Sequence, residues 1–237
     1  MRKLEISRVH DAYARGGECP LCDLVAEAET AYLRSFEHSR VMEPEVRVRT
    51  NREGFCAPHL RRLHAADNKL GLGLMVHTRL QLVRAQLEPE LANAASAHGR
   101  REPTRQAAAA ASRIRDLGST CYLCRLLEQD RRRYIVTILY LWAHDPLFAP
   151  VFRASRGFCL PHFAEVLDEA GGSMKADRLR RWLDDAGTLL RESLSRIEDD
   201  LLAFTQLHRA ENSSRGTEEV RAALGRALQK LSGITRA

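Results

Sequence analysis

Apolar residues recur along most of the chain at three- and four-residue steps, which is the spacing of one helix face. One run carries Val25, Ala28, Tyr32 and Phe36, and a longer run extends from Leu127 to Trp142. A strand would instead alternate apolar and polar positions, and no stretch does so for long. The sequence therefore predicts an all-α protein.

The chain contains an internal repeat built around its six cysteines. Cys19-Pro-Leu-Cys22 is answered by Cys121-Tyr-Leu-Cys124, at an offset of 102 residues. Gly-Phe-Cys56-Ala-Pro-His59 is answered by Gly-Phe-Cys159-Leu-Pro-His162, at an offset of 103 residues. Identical residues in the same register over such a distance predict two pseudo-repeated helical halves.

This repeat predicts four segments along the chain. Residues 1–88 form a first helical repeat and residues 117–211 a second. Between them, residues 89–116 are rich in alanine and arginine and are expected to be a partly helical linker. Residues 212–237 carry Val220, Leu224, Leu228 and Leu231 at helical spacing, which predicts a C-terminal amphipathic helix. Docking of this apolar stripe on the body of the protein is favoured, and presentation of the stripe to a partner is the alternative.

The repeated cysteines and histidines have the spacing of metal ligands. Two cysteines two residues apart place both sulfurs on one side of a turn or of the first turn of a helix, and the Cys-x-Pro-His element does the same for a sulfur and a nitrogen. Three sulfurs and one nitrogen complete a tetrahedral Zn²⁺ shell. The predicted ligands are Cys19, Cys22, Cys56, His59, Cys121, Cys124, Cys159 and His162.

Two zinc ions per chain are the first interpretation of these ligands. Iron–sulfur clusters are an alternative, although they usually take four cysteines. Thiols that bind no metal or form reversible disulfides are another. Four donors saturate a zinc ion and leave no position for water, so the sites are expected to be structural rather than catalytic.

The assignment of ligand pairs to the two ions is open. Pairing within each half closes the shorter loops, about 34 residues from Cys22 to Cys56, and is favoured because a shorter loop costs less entropy. An exchanged arrangement, with Cys19 and Cys22 joined to Cys159 and His162, fits the same sequence.

Composition narrows the function classes. The 237 residues carry a net charge of +6, but their basic residues lie in short runs near acidic ones, which is typical of solvated helix faces and argues against a nucleic-acid surface. No apolar run is long enough to span a bilayer or act as a secretory signal, so we expect a cytoplasmic protein. Structural disulfides are disfavoured in that compartment.

Other candidate residues are assigned to structure first. Tyr134, Tyr140 and Trp142 have the spacing of core residues, with a ligand cavity as the alternative. His144 beside Asp145 is the best general-base candidate if an active site exists. No phosphate-binding loop or nucleophile elbow is present.

The double pattern of Cys-x-x-Cys and Gly-Phe-Cys-x-Pro-His, with Tyr140-Leu-Trp142 and the segment from Ala227 to Leu231, resembles an uncharacterised family of bacterial cytoplasmic proteins known only as a domain of unknown function. The resemblance implies bacterial origin and the same ligand set, and it implies no reaction. We therefore expect a non-enzymatic, zinc-stabilised binding or scaffold protein with a protein or small-molecule partner. The alternative is a redox or metal sensor, or an electron-transfer protein, that uses the same cysteines and histidines.

Overall fold

The computed structural model describes residues 5–99, 101–207 and 218–233, which are helical apart from short connections and contain no strand. This confirms the all-α prediction. Within this described part, no helix is both long and apolar enough to cross a membrane.

The chain divides into two units. The discontinuous unit comprises Met1–Glu27 and Gln129–Ala237, and the continuous unit comprises Ala28–Glu128. Two helices contribute residues to both units, α2 (Pro20–Glu37) and α7 (Tyr122–His144). Each unit therefore contains parts of both sequence repeats.

The discontinuous unit has its own core. Buried residues of α1, α2 and α7 pack with Phe148, Phe152, Phe158 and Trp182, each at most 2% exposed. Besides parts of α2 and α7, its helices are α1 (Ile6–Ala14), α8 (Phe148–Arg153), α9 (Leu160–Ser173), α10 (Ala176–Leu207), α11 (Glu218–Arg221) and α12 (Ala223–Ser232).

A smaller core, centred on Leu33, Phe36, Val41, Met75 and Leu123, holds the continuous unit together. Its helices are the rest of α2 and α7, a 3₁₀ turn (Arg40–Met42), α3 (Pro44–Glu53), α4 (Ala57–Ala65), α5 (Lys69–Ala95) and α6 (Glu102–Gly118). The segment predicted as a linker contains the end of α5 and most of α6, and these two helices pack against each other.

The C-terminal helix docks through a different face from the one its apolar stripe predicts. The buried residues of α12 are Ala223, Ala227 and Lys230, which lie at four- and three-residue steps. Leu224, Leu228 and Leu231 are 47–58% exposed. Small residues permit a close approach to the rest of the unit, and Lys230 makes polar contacts there that a leucine cannot make. Residues 212–217 and 234–237 of the predicted segment lie outside the described part.

Candidate metal centres

Four helix N-termini carry the eight predicted ligands. Cys56 is the N-cap of α4 and Cys159 is the N-cap of α9, and in each helix the histidine lies three residues later, after a proline in the first turn. Cys19 and Cys121 directly precede α2 and α7, and their carbonyls accept the first helical hydrogen bonds, from Asp23 and Arg125. Each pair of ligands therefore shares one side of a first helical turn. The positive end of a helix also favours a thiolate there.

The structure gathers these ligands into two groups of four. The first site contains Cys19, Cys22, Cys159 and His162, and the second site contains Cys56, His59, Cys121 and Cys124. In each group the donor atoms all lie within 4.8 Å of one another. The first site lies in the discontinuous unit and the second in the continuous unit.

The preference for pairing within each sequence half is wrong. Each site takes its Cys-x-x-Cys pair from one half and its Cys-x-Pro-His pair from the other. The first site joins Cys22 to Cys159, which are 137 residues apart. Loop-closure entropy grows only logarithmically, so closing a loop four times longer costs about 1.2 kcal/mol more. This difference is too small to oppose the packing of whole helices.

The separations of the donor atoms lie within a few tenths of an ångström of those around a tetrahedral metal ion. In the first site, His162 Nδ1 lies 3.2 Å from the Cys159 sulfur and 3.4 Å from the sulfurs of Cys19 and Cys22. The Cys22 and Cys159 sulfurs are 3.6 Å apart. Bonds of about 2.3 Å to sulfur and 2.0–2.1 Å to nitrogen place sulfurs about 3.8 Å apart and sulfur and nitrogen about 3.6 Å apart.

The second site repeats this geometry. His59 Nδ1 lies 3.2 Å from the Cys56 sulfur, 3.3 Å from that of Cys121 and 3.4 Å from that of Cys124. The sulfurs of Cys56 and Cys124 are 3.7 Å apart. All six cysteines are free thiols. Both groups fit one tetrahedral ion of the size of Zn²⁺.

The electrostatics of the thiols also favour a bound cation. Hydrogen bonds from Cys19 and Cys22 lower the pKa of Cys159, and hydrogen bonds to Cys159 and Cys19, together with burial, raise the pKa of Cys22. In the second site, burial and the neighbouring Cys121 thiolate raise the pKa of Cys124 to about 12. Three sulfurs so close together cannot all ionise unless a positive ion offsets their charge.

Both histidines respond to the thiolates beside them. Burial alone would lower the pKa of His162, but hydrogen bonds to Cys159 and Cys19 outweigh it and raise the pKa to about 10. A hydrogen bond to Cys121 raises the pKa of His59 in the same way. Burial opposes ionisation of Cys121, but the hydrogen bond with His59 and backbone N–H groups lower its pKa to about 6. Without a metal, the protonated histidines stabilise the neighbouring thiolates, so binding of a metal ion would displace protons from each site.

The surroundings of the two sites differ in accessibility. The three cysteines of the first site are at most 2% exposed, whereas in the second site Cys124 is exposed and Cys56 is partly exposed. Reagents in solution therefore reach the sulfurs of the second site more easily.

The partners of the two histidines also differ. His59 Nε2 lies 3.1 Å from a carboxylate oxygen of Glu29, which also pairs with Arg62. In the second half of the sequence, Arg131 stands at the position that corresponds to Glu29, and Glu165 at the one that corresponds to Arg62. These two residues also form an ion pair, with the charges reversed. A carboxylate behind a metal-binding imidazole fixes its orientation and raises its basicity. The second site has this support from Glu29, and the equivalent position of the second half provides an arginine instead.

Two cations that sequence reasoning missed, the buried Lys230 and the partly buried Arg79, hold the ligand loops in place. In the discontinuous unit, Lys230 donates to the carbonyls of Glu18, Arg156 and Phe158, which flank Cys19 and Cys159. In the continuous unit, Arg79 donates to the carbonyls of Asn51, Arg52 and Leu117. The helical spacing of Lys230 from Ala223 and Ala227 could have indicated that Lys230 lies on a buried face. No sequence signal distinguishes Arg79 or Glu29.

Glycines shape the two loops that lead to Cys56 and Cys159. Gly54 and Gly157 have φ values of 67° and 69°, a left-handed conformation that residues with a Cβ rarely adopt. A side chain at Gly54 would also lie 3.3 Å from the Arg79 guanidinium. The left-handed backbone conformation therefore explains why glycine stands before Phe-Cys in both repeats.

The remaining candidates separate into core and surface. Tyr134 is 1% exposed and belongs to the core, as expected, whereas Tyr140 is 44% exposed and Trp142 is half-buried at a cavity. His144 and Asp145 form no dyad. His144 Nδ1 donates to the Tyr140 carbonyl, and Asp145 faces His10 and the Leu147 amide.

Comparison with known proteins gives a family and no activity. The family model for DUF6062, a family of unknown function, matches residues 1–237. No curated protein and no solved structure matches the chain.

Proposed function

Because the chain belongs to this family of unknown function, we propose from its own residues that it is a zinc-stabilised helical binding or scaffold protein rather than an enzyme. The observation that supports this proposal is the pair of four-donor groups, each with three sulfurs and one nitrogen within 4.8 Å. Such a set fills a tetrahedral shell and leaves no position for a substrate. Six free thiols also suit the reducing cytoplasm of a bacterium, which we include in the proposal.

Zinc at these sites would contribute to folding. Each ion would join a Cys-x-x-Cys turn to a Cys-x-Pro-His turn that is distant along the chain, and free energy of metal binding becomes free energy of folding when the unfolded chain has no preformed site. The helical surfaces held in this way would bind a protein or a small molecule, and the charge pattern argues against nucleic acid.

Elemental analysis and native mass spectrometry of protein purified without oxygen test the metal. We expect a colourless protein with two zinc ions per chain. Cys56→Ser and Cys159→Ser should each lose one zinc ion, from the second and the first site respectively, and should melt at a lower temperature. A brown protein absorbing near ~400 nm would replace zinc with an iron–sulfur cluster. A metal-depleted variant that melts like the wild type would refute the structural role.

Exposure of Cys124 favours a second candidate function, a peroxide-sensitive thiol switch at the second site. With a metal ion offsetting the charge of the three sulfurs, Cys124 would be a thiolate. This thiolate attacks hydrogen peroxide, so that an S–O bond forms, the O–O bond breaks and hydroxide leaves. The Cys56 thiolate, 3.7 Å away, then attacks the resulting sulfenic sulfur, a disulfide forms and a second hydroxide leaves. The peroxide is reduced, the two sulfurs are oxidised, and the ion loses two ligands.

The buried first site is an internal control for this switch. We expect low peroxide concentrations to release one zinc ion per chain, with a Cys56–Cys124 disulfide found by peptide mass spectrometry and reversal by a thiol reductant. Release of both ions at the same rate would contradict a switch based on the accessibility of the second site.

A further inference from the structure

The discontinuous unit contains a cleft that the metal sites do not use. One cavity of about 350 Å³ lies among the end of α7, α8 and the start of α10, and Trp142, Arg153, Arg178 and Arg181 line it. A second cavity of about 200 Å³ is lined by the end of α7, the end of α9 and Arg178. Both are lined by Ala143 and Arg178, so they adjoin. The larger alone falls within the size range of small-molecule sites, roughly 300–1,000 Å³.

The larger cavity has an excess of positive charge. Asp185 accepts hydrogen bonds from the Trp142 indole and from Arg153, both at 2.9 Å, so its charge is already offset. Arg178 and Arg181 are exposed, and neither takes part in the ion pairs that the neighbouring Arg153 and Arg180 form with Asp185 and Asp177. One further carboxylate, Asp184, lines the cavity and reduces the excess. The remaining charge matches a small anion, because guanidinium groups bind carboxylate and phosphate oxygens in a bidentate manner.

The adjoining cavity has a wall of apolar and aromatic side chains. It also contains the Glu169 carboxylate, so the excess of positive charge is confined to the larger cavity. Leu139 and Met174 line it together with Tyr140 and His144, whose rings stack at a centroid distance of 4.6 Å. His144 Nδ1 donates to the Tyr140 carbonyl, which fixes the orientation of the imidazole and leaves Nε2 free of that bond. A planar ring packs well against such a wall.

We propose that this cleft binds a small molecule that carries an anionic group on a planar ring. The anionic group lies between Arg178 and Arg181, and the ring lies along Tyr140 and His144. The shared chemistry is that of aryl phosphates and aryl carboxylates. The proposal does not depend on the metal, since no ligand of either metal site lines these cavities.

Two-dimensional NMR of the metal-loaded full chain tests the proposal, with phenyl phosphate and benzoate as probes. The chain has two tryptophans, so the indole N–H signals are easily assigned. We expect the Trp142 signal to move in a saturable manner while that of Trp182, which is fully buried, stays in place. Inorganic phosphate, which lacks the ring, and benzyl alcohol, which lacks the charge, should bind roughly tenfold more weakly or worse. The tighter of the two probes identifies the anionic group.

Variants locate the binding site. Arg178→Ala and Arg181→Ala should each raise the Kd of the tighter probe roughly tenfold or more, and Asp184→Asn should lower it. The matched control is Arg180→Ala on the same helix, because Arg180 pairs with Asp177 and does not line the cleft. No saturation of the Trp142 shift by about 10 mM of either probe, where the free energy of binding is less than ~3 kcal/mol, overturns the proposal. An equal loss of affinity in Arg180→Ala also overturns it.

Discussion

Substitution of Lys230 by methionine tests how the first site is supported. The Lys230 side chain is 1% exposed, and its ammonium group lies 2.9 Å from the Glu18 carbonyl, 2.8 Å from that of Arg156 and 3.4 Å from that of Phe158. Methionine keeps most of the volume and removes the charge and all three donors. Three buried carbonyls then lose a charged partner.

The cost follows from these contacts. A hydrogen bond from a charged donor contributes about 1.5–3 kcal/mol, and removing one member of a buried charged network costs about 3–5 kcal/mol. The Glu18 carboxylate keeps its ion pairs with Arg156 and Arg196, so it does not become an unpaired buried charge. We therefore expect the free energy of unfolding to fall by about 3 kcal/mol, the lower end of that range.

Urea denaturation of metal-loaded protein measures this change in stability. A chelator competition assay measures the rate of metal release from the first site. Release should be faster in Lys230→Met, because Glu18 and Phe158 directly precede Cys19 and Cys159, two ligands of that site. Lys175→Met is the control, since Lys175 is exposed and its substitution should change stability by less than about 0.5 kcal/mol. The reasoning is refuted if Lys230→Met and Lys175→Met have the same urea midpoint and the same rate of metal release.

Three further predictions concern the ligands and their neighbours. In urea denaturation, the double variant Cys22→Ser, Cys159→Ser should lose no more stability than the worse single variant, because both substitutions empty the same site. For Cys22→Ser and Cys56→Ser, which empty different sites, the losses of stability should add within about 0.5 kcal/mol. The opposite pattern would indicate pairing within halves. Glu29→Gln should weaken metal affinity of the second site about 10- to 100-fold in chelator titrations and leave the first unchanged. Burial raises the pKa of Glu53, but two arginine hydrogen bonds outweigh it and lower the pKa below 4.5. The ionised Glu53 carboxylate contributes to stability above pH 4.5, and this contribution is lost as the pH falls through the lowered pKa. The difference in the free energy of unfolding between wild type and Glu53→Gln should therefore shrink in acid.

Local features of the fold could be predicted from the sequence. Helical periodicity appears within each segment, so the all-α class and the placement of α2 and α7 could be predicted without a structure. The eight candidate ligands, which the structure brings into two groups that could hold a metal ion, could be selected from the sequence because donor chemistry and two-residue spacing are also local. Each pair lies in one first helical turn.

The exchange of ligand pairs between the halves was decided only by tertiary structure. Along the chain, Cys22 is closer to Cys56 than to Cys159, and loop entropy alone favours the nearer partner by about 1.2 kcal/mol. The packing of Leu21 and Leu24 in one core with Phe158 and Val166 brings α2 to α9 and outweighs that preference.

Tertiary structure also decided which face of α12 is buried, so that its leucines are exposed and Lys230 is buried. An apolar stripe predicts which face of a helix is buried only when the opposing surface is apolar too, and Lys230 faces backbone carbonyls of Glu18, Arg156 and Phe158. Periodicity and ligand chemistry are properties of short segments, so the sequence by itself determined them. Which segments meet depends on the summed packing and hydrogen bonding of residues far apart in the chain, and only the tertiary structure decided that.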